Sequence, residues 1–235
     1  MELSKRLQTI ADMVSPGLTV ADVGCDHGFV SIYLYEKHIT KKVIAMDLRP
    51  DPLARAKEHI EAFGYAEYIE TRLSDGLDAL RAGEGDTLVI AGMGGPLMER
   101  ILEQGGEVTE SFKEMILQPQ SDIPHFRKYI QEKGWEIIGE NMILEDGKYY
   151  PMMKVVKKSS DASVPYTKVE EWFGRFLLQA KHPVLKEYLL RELRIRNEIL
   201  EKLRRSAGET AQNRISEIEE EKQLVEAALK VYESN

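Results

Sequence analysis

Residues 21–29 read Ala-Asp-Val-Gly-Cys-Asp-His-Gly-Phe, "ADVGCDHGF", and this stretch decides the fold. A short apolar run, "LTV", precedes it, and "VSIYLYEKH" follows with the pattern of a helix. An apolar strand that ends in an acid, turns on glycine and starts a helix is a place where small molecules bind. The spacing here is G-x-x-x-G rather than G-x-G-x-x-G, and Asp22, Asp26 and His27 lie in or beside the turn. A dinucleotide pyrophosphate sits on such a helix N-terminus because it is an anion. Two carboxylates would repel it, so the turn suits a cationic ligand.

Outward from the turn, helical and strand patterns alternate from residue 1 to about 158. Leu3, Leu7, Ile10, Ala11 and Val14 share one helical face, which ends at Ser15-Pro16-Gly17. "LTVADVG" and "KKVIAMD" read as strands, with a helix over 28–37 between them. Residues 51–63 are helical by spacing, "AEYIETRL" is a weaker strand, and "DTLVIAGMGG" is a strand entering a second glycine turn. Pro96 then suits a helix start. "EMILQP" is a strand, 121–133 a helix, and "WEIIGENMILE" with "KYYPMMKVVKK" forms a hairpin turned at Asp146-Gly147. Strands separated by helices predict a parallel sheet with helices on both faces, closed by an antiparallel hairpin. The fold class expected is α/β, a Rossmann-like sheet with a terminal hairpin and a C-terminal helical, coiled-coil-like hairpin.

Composition narrows the function. The 235 residues carry a formal charge of −8 and 43% hydrophobic residues, which describes an ordinary globular protein and no general nucleic-acid binder. No apolar run reaches the roughly 18 residues that cross a bilayer, and "MELSKRLQTIADMV" does not resemble a signal peptide. A cytoplasmic, non-membrane protein is expected. The lone Cys25 excludes an internal disulfide and a cysteine-based zinc cluster, and no His or carboxylate spacing indicates a metal.

The other candidate site residues fall at the ends of the expected strands. Asp47 closes the second strand about 20 residues after the glycine turn, where a carboxylate accepts both ribose hydroxyls of an adenosine. Asp75, in Ser74-Asp75-Gly76-Leu77, is placed to accept from an adenine amino group. Adenosine at Asp47 and Asp75, with an ammonium and a sulfonium at Asp22 and Asp26, describes S-adenosylmethionine. Any one of these acids is also a reasonable helix cap; their ordering along the chain is what points to a methyltransferase. His27 is a second, weaker candidate for acid–base work at the start of the helix, and Cys25 reads as a small filler behind the turn.

"DVGCDHG", "DLRPDPL", "SDGL", "IAGMGG" and "LQPQ" together resemble the bacterial tRNA (adenine-22-N1)-methyltransferase family, often called TrmK. The resemblance covers nearly the full chain, helical tail included. It implies transfer of a methyl group from S-adenosylmethionine to N1 of an adenine in tRNA. It implies that Asp22, Gly24, Cys25, Asp26, His27 and Gly28 line the methionine end, and that Asp47 and Leu48 hold the ribose. Ser74, Asp75, Gly76 and Leu77 would surround the adenine, and Gly92, Met93 and Gly94 would lie where the base meets the methyl. Asp26 is the first catalytic candidate. "AGMGG" has neither the side-chain amide nor the aromatic platform of an N-P-P-Y motif, so Gln118 and Gln120 are candidates for contacting the base.

A polar stretch, "KKSSDASVPYTK", divides a catalytic domain, 1–160, from a helical tail, 166–235. In the tail Leu189, Leu193, Leu200 and Leu203 form one stripe, and Ile215, Ile218, Val225, Leu229 and Tyr232 another, with Gly208 between them. Residues 181–205 hold eight Lys or Arg against four Glu, a local +4 that makes Arg191, Arg194 and Arg205 candidates for binding phosphates. The competing expectation is a small-molecule or protein methyltransferase whose tail serves oligomerisation. A monomer or weak dimer is expected.

Overall fold

The computed structural model describes residues 1–159, 164–205 and 209–233. It comprises two compact units, Met1–Ser163 and Val164–Asn235. Residues 160–163 of the expected linker, and Gly208, lie outside the described residues.

Continuous apolar runs become the centre of the first unit. β1 (Val20–Val23), β2 (Val43–Asp47) and β5 (Glu114–Pro119) are buried along their whole length, as strands covered by helices on both faces must be. With β3 (Ile69–Leu73), β4 (Thr87–Met93), β6 (Trp135–Glu145) and β7 (Lys148–Lys157) they form one sheet of order β3-β2-β1-β4-β5-β7-β6. β1 to β5 run parallel; β7 is antiparallel to β5 and β6 to β7. The hairpin turns on Asp146 (φ 50°) and Gly147 (φ 74°), both left-handed, the conformation that a two-residue turn between right-twisted strands needs.

The order reverses at β1, which has β2 on one side and β4 on the other. Connections leaving β1 and β4 part at that point, and their carboxyl ends open a crevice. Around the sheet run α1 (Lys5–Asp12), α2 (Phe29–Glu36), α3 (Pro50–Ala62), α4 (Gly95–Gly105), α5 (Glu107–Ser111) and α6 (Ile123–Glu132). The short α5 has no apolar periodicity and was not foreseen. Glu114, 5% exposed, accepts from Ser15 N (2.8 Å), Ser15 Oγ (2.6 Å) and Thr87 Oγ1 (3.1 Å) and pairs with Lys154 (2.9 Å). Lys154 Nζ also donates to Met13 O (3.0 Å). These bonds pin the end of α1 to β5 and β7, a placement that matters at the crevice.

The second unit contains α7 (Lys168–Phe173), α8 (Arg175–Gln179), α9 (Pro183–Arg204) and α10 (Glu209–Glu233). Thr167 and Glu170 form a reciprocal capping box at the start of α7. Tyr232 Oη donates to His182 O (3.0 Å) while Arg204 pairs with Glu219 (2.8 Å), so α9 and α10 are antiparallel. Leu189 and Leu200 on α9, with Ile218, Val225 and Ala228 on α10, are buried.

Candidate active site at the strand ends

Beyond β1 the chain needs a backbone that side chains disfavour. Gly24 (φ 75°), Asp26 (φ 50°) and Gly28 (φ 73°) are all left-handed within five residues, and Gly28 caps α2. The bend lets the backbone N–H groups of Gly24 (2.8 Å) and Cys25 (2.9 Å) both reach Met46 O. A Cβ at Gly24 would push the Met93 methyl aside, and at φ 75° a side chain there is strained whatever the space. The first turn and the end of β4 are therefore in van der Waals contact. His27 lies in this turn, just before the helix it was expected to begin. Its ring stacks on Phe29 (5.5 Å), its carbonyl is 3.0 Å from His59 Nδ1, and its Nε2 is 3.8 Å from Asp26 Oδ2.

The acids are tied to one another. Asp47, 6% exposed, accepts from Asp26 N (3.3 Å) and Arg49 N (2.9 Å), one bond on each carboxylate oxygen, which leaves lone pairs on both. Asp22, 5% exposed, accepts from Ser31 Oγ on α2 (2.6 Å). Burial raises its carboxyl to about 6; the Ser31 bond opposes the rise and the Asp47 charge adds to it. Burial, together with Asp22, Asp47 and Asp26, also pushes the Cys25 thiol far up, so it stays protonated and a poor nucleophile. Buried carboxylates facing each other have a desolvation cost that a bound cation would relieve.

A cavity of about 470 Å³ opens here, within the range of about 300–1,000 Å³ typical of small-ligand sites. Of the residues singled out from the sequence, Asp22, Gly24, Cys25, Asp26, His27, Asp47, Leu48, Ser74, Asp75, Gly76, Gly92, Met93 and Gln120 line it. Ser74 is buried and shapes its own turn, donating to Gly76 O (2.9 Å) and accepting from Ala79 N (3.1 Å), which leaves Asp75 exposed beside the cavity. Gly28, Leu77, Gly94 and Gln118 do not line it. Gly28 gives space to Ala56, a Cβ on Gly94 would lie 2.8 Å from Ser121 Oγ, and Leu77 is buried. Gln118, expected to touch the substrate, is fully buried: its Oε1 accepts from Gly92 N (3.1 Å) and Arg6 Nη1 (3.2 Å). Its carboxamide is consumed inside the protein, which corrects that expectation.

Three arginines join the lining unforeseen: Arg6, Arg49 and Arg100. Arg49 follows the second-strand acid and Arg100 the second glycine turn, but Arg6 is more than 80 residues from the strand end it meets. Only its place on the polar side of α1 hinted at a role. In the second unit, Arg191 and Arg194 are exposed on α9, and Arg205, at its end, is 4.0 Å from Glu201. Arg196, counted in the local +4, is 9% exposed and paired with Glu192 and Glu221, so it is a structural cation. Among the described residues no group of three or more His, Cys, Asp or Glu is arranged to hold a metal, and no helix is long and apolar enough to cross a membrane.

Residues 3–153 match a family model described as a methyltransferase domain. The chain is 33% identical over 218 residues, 91% of its own length and 90% of the relative's, to the tRNA (adenine(22)-N(1))-methyltransferase of Bacillus subtilis strain 168. The crystal structure of the B. subtilis m1A22 tRNA methyltransferase superimposes with a TM-score of 0.86 at 31% identity, over 97% of this chain and 98% of that one. A putative tRNA (m1A22) methyltransferase of Streptococcus pneumoniae, solved in complex with S-adenosyl-L-methionine, gives a TM-score of 0.84 at 31% identity, over 97% of this chain and 100% of that one.

Proposed function

This chain belongs to the tRNA (adenine-22-N1)-methyltransferase family, and from that membership we propose how its own residues carry out the reaction. It is an S-adenosylmethionine-dependent enzyme that methylates N1 of adenine 22 in tRNA. The observation that carries the reading is the acidic floor of the cavity: Asp22, Asp26 and Asp47 around a glycine turn that is left-handed at Gly24. That donor set suits a ligand with a cationic amino-acid end and a ribose, and it disfavours a pyrophosphate.

S-adenosylmethionine would supply a sulfonium methyl for the N1 lone pair to attack, the N–C bond forming as the C–S bond breaks, with S-adenosylhomocysteine as leaving group and a positively charged base as product. Asp47 accepts from the ribose hydroxyls, with Leu48 covering that end of the cavity. Asp75 accepts from the cofactor's adenine amino group, in a turn that Ser74, Gly76 and Leu77 shape. Asp22 and the turn from Gly24 to Gly28 hold the cationic end. Adenine N1 is neutral and carries an available lone pair, so no base has to deprotonate it first. Alignment and electrostatic support therefore supply most of the rate. Asp26, exposed at the turn, accepts from the target's N6 amino group and stabilises charge arriving on the ring. His27 is the second candidate for this role. Gly92 and Met93 form the wall against which the target base lies, with Gln120 beside it.

Arg191, Arg194 and Arg205 on the tail bind tRNA phosphates. The enzyme works in the cytoplasm, as a monomer or weak dimer. Incubation with labelled S-adenosylmethionine and unmodified bulk tRNA, followed by nucleoside mass analysis, is the test. Label in 1-methyladenosine is the expected result; label elsewhere, or none, contradicts the reading.

A further inference from the structure

The buried carboxylates of the cavity, Asp22 and Asp47, lie at the ends of β1 and β2 with Asp26 and Arg49 beside them, whereas Arg6 stands at the end of β4, against the wall where the target base is proposed to lie. Arg6 is also more firmly held than the other two lining arginines. Its Nη1 donates to Gln118 Oε1 (3.2 Å), the guanidinium lies 5.5 Å from the Tyr150 ring centroid, and a Cβ on Gly92 would sit 3.4 Å from Nη1. Gln118 Oε1 takes the Gly92 N–H at the same time (3.1 Å), so one buried amide fixes both the arginine and the glycine turn. Arg49, by contrast, is 71% exposed, and Arg100 is exposed on α4. A guanidinium has five N–H donors and no acceptor, and Arg6 makes one hydrogen bond among the described residues.

A cation at this place cannot help by touching the base, because the ring gains positive charge as N1 takes the methyl. The cofactor brings cations of its own, which leaves the anion of the other reactant. We infer that Arg6, pre-oriented by Gln118 and Tyr150, receives a phosphate flanking the target adenosine and so sets how far the base enters over Gly92. This rests on the tRNA-methylating function proposed above. The planar fork suits two phosphate oxygens, and a fork already fixed in place loses less side-chain freedom on binding. Gln118 then acts through Arg6 and Gly92 as a positioning residue.

The test pairs protein and substrate changes. Each phosphate flanking the target adenosine is replaced in turn by an uncharged methylphosphonate, in tRNA assembled by ligation, and kcat/KM is measured with wild type, Arg6→Gln and Arg6→Lys. Arg6→Gln is expected to lower kcat/KM for ordinary tRNA on the order of 10- to 100-fold, with the affinity for S-adenosylmethionine unchanged. One of the two methylphosphonates should impose a similar loss on wild type and little further loss on Arg6→Gln; such non-additivity is the mark of a direct interaction. Arg6→Lys should recover part of the loss by charge alone. If both methylphosphonates lower the rate by the same factor in wild type and variant, Arg6 does not meet a flanking phosphate and the inference falls while the enzyme's function stands. If wild type leaves tRNA unmethylated, the functional reading fails and takes this one with it.

Discussion

Asp22 offers a pH signature that can be worked out from its surroundings. Its carboxyl is 5% exposed, holds one hydrogen bond from Ser31 and lies near Asp47, and burial raises it from 3.8 to about 6. A rise of roughly two units corresponds to about 3 kcal/mol by which ionised Asp22 burdens the folded, ligand-free protein. The folded value is the raised one, so the stabilising contribution is fully present below about pH 3.8 and is lost as pH rises through about 6. Asp22→Asn keeps an acceptor for Ser31 and removes the charge. In denaturant titrations without cofactor it should be more stable than wild type at about pH 7.5, by up to about 3 kcal/mol, and the difference should vanish near about pH 4. A cation bound at the turn favours the ionised form. Wild-type affinity for S-adenosylmethionine should therefore fall as pH drops below about 6, by at most about tenfold per unit. Calorimetry in two buffers of different ionisation enthalpy should detect proton release on binding near about pH 6. An Asp22→Asn protein with the wild-type pH profile of stability, or binding with no proton release, would overturn this assignment.

Asp26→Asn should lower the single-turnover rate on tRNA on the order of 10- to 100-fold with a nearly unchanged cofactor Kd, since its proposed role begins when charge reaches the base. A reduced cofactor affinity with a wild-type rate would make Asp26 a cofactor ligand instead. Gly24→Ala puts a side chain at φ 75° and pushes the Met93 methyl aside, so it should destabilise the fold by about 1–2 kcal/mol and weaken cofactor binding, both readable by thermal melts with and without ligand. Replacing Arg191, Arg194 and Arg205 with Gln should flatten the salt dependence of tRNA binding, by about one unit of log–log slope for each phosphate no longer neutralised. An unchanged slope with an altered mass in light scattering would assign the tail to self-association.

What was legible in the chain follows from how local each signal is. The acid–glycine turn at 22–28, the acid closing β2 and the Asp146-Gly147 hairpin are contiguous in sequence, and backbone chemistry alone places them at strand ends. Their meeting in one cavity follows from the reversal of strand order at β1, which only the sheet itself reveals. Arg6 and Gln118 were not readable in the same way, because their hydrogen bond joins residues 112 apart and depends on Glu114 and Lys154 pinning α1. A glutamine ending a strand looks alike whether its amide meets a ligand or a neighbouring N–H. In the tail, a charge count over one helix cannot tell exposed Arg194 from buried Arg196, since one of the two acids paired with the latter, Glu221, lies on α10.

Delivery of a methyl group to N1 of adenine 22 by the acidic cavity between β1 and β4 is open to a decisive measurement. Primer extension is run on an unmodified tRNA transcript after reaction with wild type and Asp47→Ala over a range of S-adenosylmethionine concentrations. N1-methylation blocks base pairing, so wild type should produce a single stop immediately 3′ of position 22, absent when adenine 22 is replaced by guanine. Asp47→Ala should give the same stop but need roughly 30- to 150-fold more cofactor, the equivalent of losing about 2–3 kcal/mol of hydrogen bonding to the ribose. A stop at another position, one that persists without adenine 22, or a cofactor requirement indifferent to Asp47 would show that this cavity does not carry out the reaction.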